Sequence, residues 1–138
     1  MHRSHKLLEC ITSSWKAQAL HAAAELGIAD LLADGPKTSD ELAAACGAHA
    51  PSLYRLLLAL TTLDICTEGP DGAFELTPTG EMLRSDAPDS LRAWTIWWGE
   101  YLWPVWGNLL HSVRTGTSAR KLLTGDSGFG HLERDAVA

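Results

Sequence analysis

Five of the chain's six tryptophans stand within thirteen residues, at Trp94, Trp97, Trp98, Trp103 and Trp106, with Tyr101 among them. The chemistry such rings offer is noncovalent: large flat apolar faces, each with one polar edge, that stack on other flat surfaces. Trp94, Trp97, Trp98 and Tyr101 follow steps of three, one and three, which on an α-helix places them on one face. Two readings stand. The rings fill a core, or they line an interface or a pocket for a flat, hydrophobic ligand.

Groups that make and break bonds are not gathered in the same way. His2, His5, His21, His49, His111 and His131 are scattered, and none pairs with Cys, Asp or Glu at metal-ligand spacing, so no metal site is expected. Gly125 to Gly130 (GDSGFG) follows a helix candidate instead of a hydrophobic strand and matches no phosphate-cradling pattern. The serines lack a nucleophile elbow, and no carboxylate pair stands apart from ordinary solvated charge. No catalytic residue is assigned. Cys10, Cys46 and Cys66 are odd in number and widely spaced, which supports neither a disulfide framework nor a zinc site and fits small buried or half-buried side chains.

The elements that would carry the rings are legible from caps and periodicity. Residues 4–24 read as one helix whose apolar stripe holds Leu7, Leu8, Ile11, Trp15, Ala19, Ala22 and Leu26; Gly27 breaks it, and a short helix runs on to Asp34. That stripe packs either on its own domain or on a second copy of the chain. Thr38 with Glu41 fits a capping box for a helix over residues 39–46 closed by Gly47. Pro51 opens a second helix, with Leu53, Leu56, Leu57, Leu60 and Leu63 as one stripe, and Asp64 ends it. Residues 65–68, a turn at Gly69-Pro70-Asp71-Gly72 and residues 73–77 then make a hairpin. Thr77-Pro78 starts a short helix through Leu83, and Pro88 precedes the tryptophan-rich helices of about residues 88–115, kinked or restarted at Pro104 and stopped at Gly116. Beyond Thr115 the chain turns polar and glycine-rich, with packing contacts from Leu122, Leu123, Phe129 and Leu132 and a helix starting about Gly130. The fold class is mainly α: a winged helix-turn-helix of about residues 38–83 with a small β-hairpin wing, flanked by N-terminal helices, candidates for dimerisation, and a C-terminal Trp-rich helical segment.

Charge argues against the partner this shape suggests. Across residues 38–83 Arg55 is the one Lys or Arg, set against Asp40, Glu41, Asp64, Glu68, Asp71, Glu75 and Glu81. A DNA reader neutralises phosphates with several cations, and this segment repels them. On the second helix the outward face holds Arg55, Leu58 and Thr62, and Leu58 suits a protein surface. No nucleic-acid partner is expected. The 138 residues, 46% hydrophobic with net charge −6, suffice for one domain with a real core. Residues 17–33, the most apolar run, are interrupted by Gln18, His21, Glu25 and Asp30, so no membrane span is expected, and with no signal-peptide core a cytoplasmic location is the default.

Taken together, AAELGIADLL, SLYRLL, FELTPTGEML and LLHSVRTG stand at spacings that resemble the N-terminal dimerisation region of S-adenosylmethionine-dependent O-methyltransferases, the group of plant caffeate-type enzymes and bacterial polyketide and carotenoid tailoring enzymes. The resemblance runs from about Gln18 to Glu133. It implies a winged-helix-like domain whose first helices interlock with a partner subunit, ahead of a Rossmann-like domain that binds S-adenosylmethionine and supplies a histidine base. Neither of those last elements lies within the 138 residues, so no catalytic or cofactor position carries over. Two departures stand out: Leu58, where the family often has a basic residue, and Cys66, where an aromatic or apolar residue is expected. The expectation is thus a module over residues 1–138, inactive alone, that forms a homodimer through Leu7, Leu8, Ile11, Trp15, Ala19, Ala22 and Leu26. Trp94, Trp97, Trp98, Tyr101 and Trp103 would line the site of a small aromatic or polyketide-like acceptor in a complete enzyme, with S-adenosylmethionine bound there and not by this chain. A module that pairs with a full-length methyltransferase as a heterodimer is the alternative, and a winged-helix DNA-binding regulator the third reading.

Overall fold

The computed structural model describes residues 2–124. It falls into two compact units, divided between Ile96 and Trp97. The helix expected from about Gly130, and the contacts expected of Phe129 and Leu132, lie outside the described residues.

The first unit opens with α1 (His2–Thr12), α2 (Ser14–Leu26) and α3 (Ile28–Leu32). The sequence predicts one helix where the structure has α1 and α2, because Ser13 carries no proline or glycine signal. There the Ser13 hydroxyl donates to the Cys10 carbonyl at 3.1 Å, and the Thr12 hydroxyl to that of Leu8 at 2.8 Å. Such local side-chain bonds to the backbone compete with a straight helix. Gly27 closes α2 in the left-handed conformation at φ 69° and at once heads α3.

Next come β1 (Lys37–Thr38), α4 (Ser39–Cys46) and α5 (Ala50–Thr62). The capping box forms as expected: the Glu41 amide donates to the Thr38 hydroxyl at 3.2 Å, and the Thr38 amide to the Glu41 carboxylate at 3.3 Å. Thr38→Ala is expected to cost about 1 kcal/mol, read as a lower urea midpoint at unchanged slope. Along α5, Leu53, Leu57 and Leu60 are buried while Leu58 is exposed, so the leucine stripe faces inward.

The wing is β2 (Cys66–Glu68) and β3 (Ala73–Leu76), joined through the predicted turn. The antiparallel sheet has the order β1-β3-β2, with Phe74 opposite Glu68 on one side and Lys37 on the other. The two-residue β1 adds a strand that sequence periodicity does not announce. Phe74 is fully buried and meets the edge of the Tyr54 ring at a centroid distance of 5.9 Å. α6 (Pro78–Glu81) follows, capped by Thr77, and then α7 (Arg92–Trp97). The bond from Ser85 amide to the Asp30 carboxylate, 2.8 Å, and that from Arg92 Nε to the Ala24 carbonyl, 3.0 Å, tie the chain after the wing back to α2 and α3.

Cys66, the departure noted in the sequence, sits inside the core and its thiol donates to the Leu57 carbonyl at 3.7 Å. Burial pushes this thiol up from 9.0 to about 11. The folded chain holds the proton more tightly than the unfolded chain, so the stabilisation is complete below the ordinary thiol pKa and is lost as pH rises through the folded value. Urea midpoints are expected to fall between about pH 8 and about pH 10.5 by more in the parent chain than in Cys66→Ala. Alkylation follows the same contrast: exposed Cys10 reacts in the native chain and Cys66 only on unfolding.

The second unit begins with a π-helical turn over Trp98–Leu102, followed by α8 (Trp103–Gly107), α9 (Leu109–Thr115) and α10 (Ala119–Thr124). Pro104 stands in the first turn of α8, where its missing N–H is tolerated, and the restart predicted there is preceded by the wide turn.

Candidate functional site

Two features could carry function, one in each unit. In the first, α1 contributes no buried residue. Leu7 is 62% exposed, Leu8 60%, Ile11 63% and Trp15 on α2 41%, all from the predicted stripe. The lower half of that stripe behaves differently: Ala19 is in the core, Leu26 packs against it, and Ala22 is half-buried. The structure therefore divides the seven candidate interface residues into four that present an apolar face, two, Ala19 and Leu26, that belong to the unit's own interior, and half-buried Ala22. Contiguous exposed apolar side chains on one helix face mark an interaction surface.

In the second unit the π-turn, α8 and α10 enclose a cavity of about 260 Å³. Its apolar wall is Trp97, Tyr101, Leu102, Pro104, Val105 and Leu123, and its two charged groups are Glu100 and Arg120. The geometry has a local cause. A π-turn packs more residues into each turn than an α-helix, so it widens the helix and re-aims side chains. Arg120 and Leu123, three apart on α10, share one face. Of the five predicted lining residues, Trp97 and Tyr101 reach this wall; Trp98 is half-buried without lining it, and Trp94 and Trp103 are exposed. Glu100 and Arg120 were missed by sequence reasoning. A Glu amid tryptophans and an Arg twenty residues on give no linear sign of sharing a cavity.

A polar cleft after the wing, bordered by Glu81, Arg84, Asp86 and Asp89, is less promising. Arg84 donates two bonds to Asp86, at 2.9 and 2.8 Å, and one to Glu81 at 2.8 Å. This fork holds the Asp86 carboxyl below its usual range and raises Arg84 in turn, so the cation is engaged by its own neighbours. On α5, Arg55 is exposed and donates to the Ser52 hydroxyl at 3.2 Å, beside exposed Tyr54 and Leu58. The Tyr54 hydroxyl donates to Glu68 at 2.9 Å, and this bond raises its pKa. A carboxylate across from that helix is poor company for a phosphate. No helix among the described residues is long and apolar enough to cross a membrane.

Known proteins share this architecture. A family model described as the O-methyltransferase dimerisation domain matches residues 8–86. The phenazine O-methyltransferase PhzM of Lysobacter antibioticus is 45% identical over 132 residues, which cover 96% of this chain and 39% of that protein. The crystal structure of LaPhzM superposes with a TM-score of 0.90 at 45% identity, over 95% of this chain and 40% of that one. CalO1, a methyltransferase of calicheamicin biosynthesis solved in its SAH-bound form, gives a TM-score of 0.80 at 35% identity, over 98% of this chain and 40% of that one. The chain thus spans about 39% of the length of the first of these relatives.

Proposed function

The chain belongs to the family of O-methyltransferase dimerisation domains, and from that premise we propose that it is the homodimer-forming and acceptor-lining part of an S-adenosylmethionine-dependent small-molecule O-methyltransferase. The observation that carries the reading is α1, an eleven-residue helix with no buried side chain and an exposed face of Leu7, Leu8 and Ile11. A helix that short is marginal in water without tertiary support. A second copy supplies that support by symmetry, since an isologous pair buries the same face on both subunits. Trp15 extends the face onto α2, Ala19 and Leu26 anchor its far end to the core beneath, and half-buried Ala22 completes the proposed interface.

Trp94, Trp97, Trp98, Tyr101 and Trp103 are proposed as the aromatic wall toward the acceptor, with Trp97 and Tyr101 contributing through the cavity they line. The similarity to a phenazine O-methyltransferase, an enzyme named for a flat fused-ring aromatic, supports an aromatic acceptor. S-adenosylmethionine finds no fitting cradle among the described residues: the sheet is antiparallel, and Gly69 and Gly72 belong to a hairpin turn, not to a strand-to-helix loop. Its site is therefore assigned to the remainder of a complete enzyme, and methyl transfer is assigned there with it.

Light scattering on the eluting peak of the chain tests the proposal. A mass of two copies of the 14.9 kDa chain at about ten micromolar is expected. A single-copy mass at that concentration overturns it. A complex that forms only on mixing with a full-length methyltransferase replaces it with the heterodimer.

A further inference from the structure

We propose that a second copy of this chain covers the apolar face of Trp106, Leu109, Leu110 and Val113 on α8 and α9, which gives the homodimer interface a second part. This rests on the homodimer reading above and extends it, since the matched dimerisation segment ends at residue 86 and this face lies beyond it. Leu109, Leu110 and Val113 follow steps of one and three and share one side of α9, with Trp106 one turn ahead of them on α8. Trp106 is 56% exposed, Leu109 49%, Leu110 59% and Val113 73%. Among residues 106–113 the half-buried positions are Asn108, His111 and Ser112, all polar. A helix that keeps its polar side against its own unit and turns its leucines outward is inverted for a free chain, and such a face marks an interaction surface. Neither α8 nor α9 has a buried residue, and helices of five and seven residues are not stable without packing.

Charge and area name the second copy as the occupant. From residue 101 to residue 113 the chain carries no Asp, Glu, Lys or Arg. Two copies, each with a net charge of −6, repel over the surface at large and meet at least cost where charge is absent. The centre of an interface is depleted in charged residues and enriched in aromatic ones, as this face is. A stable pair buries roughly 800 Å² on each partner, of which roughly 450 Å² is apolar. Counting ~100 Å² for a fully exposed aliphatic side chain and ~200 Å² for a tryptophan, the stripe of Leu7, Leu8, Ile11 and Trp15 supplies on the order of 300 Å² at its fractional exposures. That falls short. The face of Trp106, Leu109, Leu110 and Val113 supplies on the order of 300 Å² more on the same count, and the two together meet the need.

Sedimentation equilibrium over a dilution series of the 138-residue chain, with hydroxyl-radical footprinting resolved at Trp106 by tandem mass spectrometry, tests this. Oxidation of Trp106 is expected to fall as the dimer fraction rises. Leu110→Glu and Val113→Glu are each expected to weaken the dimer by at least about tenfold, because a two-fold pair meets the introduced carboxylate twice. Ala44→Glu, exposed on α4, carries the same charge change and should leave the dimer intact. Leu110 and Val113 are exposed and outside the core cluster, so both variants are expected to match the parent's circular dichroism at dilutions where all are monomeric. A parent dimer that survives both substitutions, with Trp106 as reactive as in the monomer, overturns this face and leaves the homodimer standing on α1. Protection of Trp106 only on mixing with a full-length methyltransferase overturns it as well and gives the face to that enzyme. A single-copy mass at every concentration overturns the face and the homodimer together.

Discussion

Gly80→Ala is expected to destabilise the first unit by about 3 kcal/mol or more, at or beyond the upper end of ordinary overpacking. A Cβ at this position would stand 2.0 Å from the Ile65 carbonyl oxygen and 3.0 Å from a Leu76 methyl. Flexible side chains can yield to such a clash; a backbone carbonyl in a hydrogen-bonded junction cannot. The Ile65 oxygen accepts from the Thr77 amide at 3.1 Å and from the Thr77 hydroxyl at 3.0 Å. The same hydroxyl accepts from the Gly80 amide at 3.0 Å and shares its one proton between the Ile65 and Asp64 carbonyls. Moving any member therefore disturbs the end of α5, the start of β2 and the cap of α6 together. The check is a urea titration followed by circular dichroism, with Gly107→Ala as the control. A Cβ on Gly107 meets nothing within 4 Å and its backbone is not left-handed, so it should be neutral or slightly stabilising. Equal midpoints for the two variants would show that the α6 junction is looser than its geometry.

The second large effect is expected on association. Ile11→Glu should weaken the proposed dimer on the order of a hundredfold or more, because a two-fold interface loses the side chain twice and burying one Ile is worth about 1.5–3 kcal/mol. The introduced carboxylates add the cost of desolvating charge. The helix signal should fall with dissociation, since α1 has no buried side chain of its own to hold it. Glu9→Gln, exposed on the opposite face of α1, is the matched control and should leave the dimer intact. Sedimentation equilibrium over a dilution series reads both. Retention of parent affinity by Ile11→Glu would remove α1 from the interface.

What the sequence made legible is what short-range physics specifies. The capping box at Thr38 and Glu41, the glycine stop at Gly47, the leucine stripe of α5 and the hairpin turn of residues 69–72 each depend on residues within a few positions of one another, and each is present. Features that depend on a partner far along the chain were not. β1 is two residues long and exists because Lys37 and Thr38 meet Phe74 and Ala73. At the division of α1 from α2 the Thr12 and Ser13 hydroxyls bond to carbonyls of the preceding turn, a competition that no proline or glycine announces. For the candidate site, the one-face reading of Trp94, Trp97, Trp98 and Tyr101 assumes an α-helical period throughout. The π-turn begins at Trp98 and changes that period, and of this set Trp97 and Tyr101 line the cavity. The Ile11 end of the N-terminal stripe and its Ala19 end look alike in sequence, and only packing separates them.

The wide turn at Trp98–Leu102 makes chain length, as well as residue identity, a variable of the cavity. The extra residue of a π-turn is absorbed within it, so a one-residue deletion that tightened this turn to an α-helix would keep the flanking residues nearly in register and re-space only the side chains inside it. Glu100 and Tyr101 would then be re-aimed against α10 in a single genetic step that no point substitution reproduces. A lineage carrying this segment can thus change what its cavity admits by gaining or losing a codon, while every ring in it stays the same.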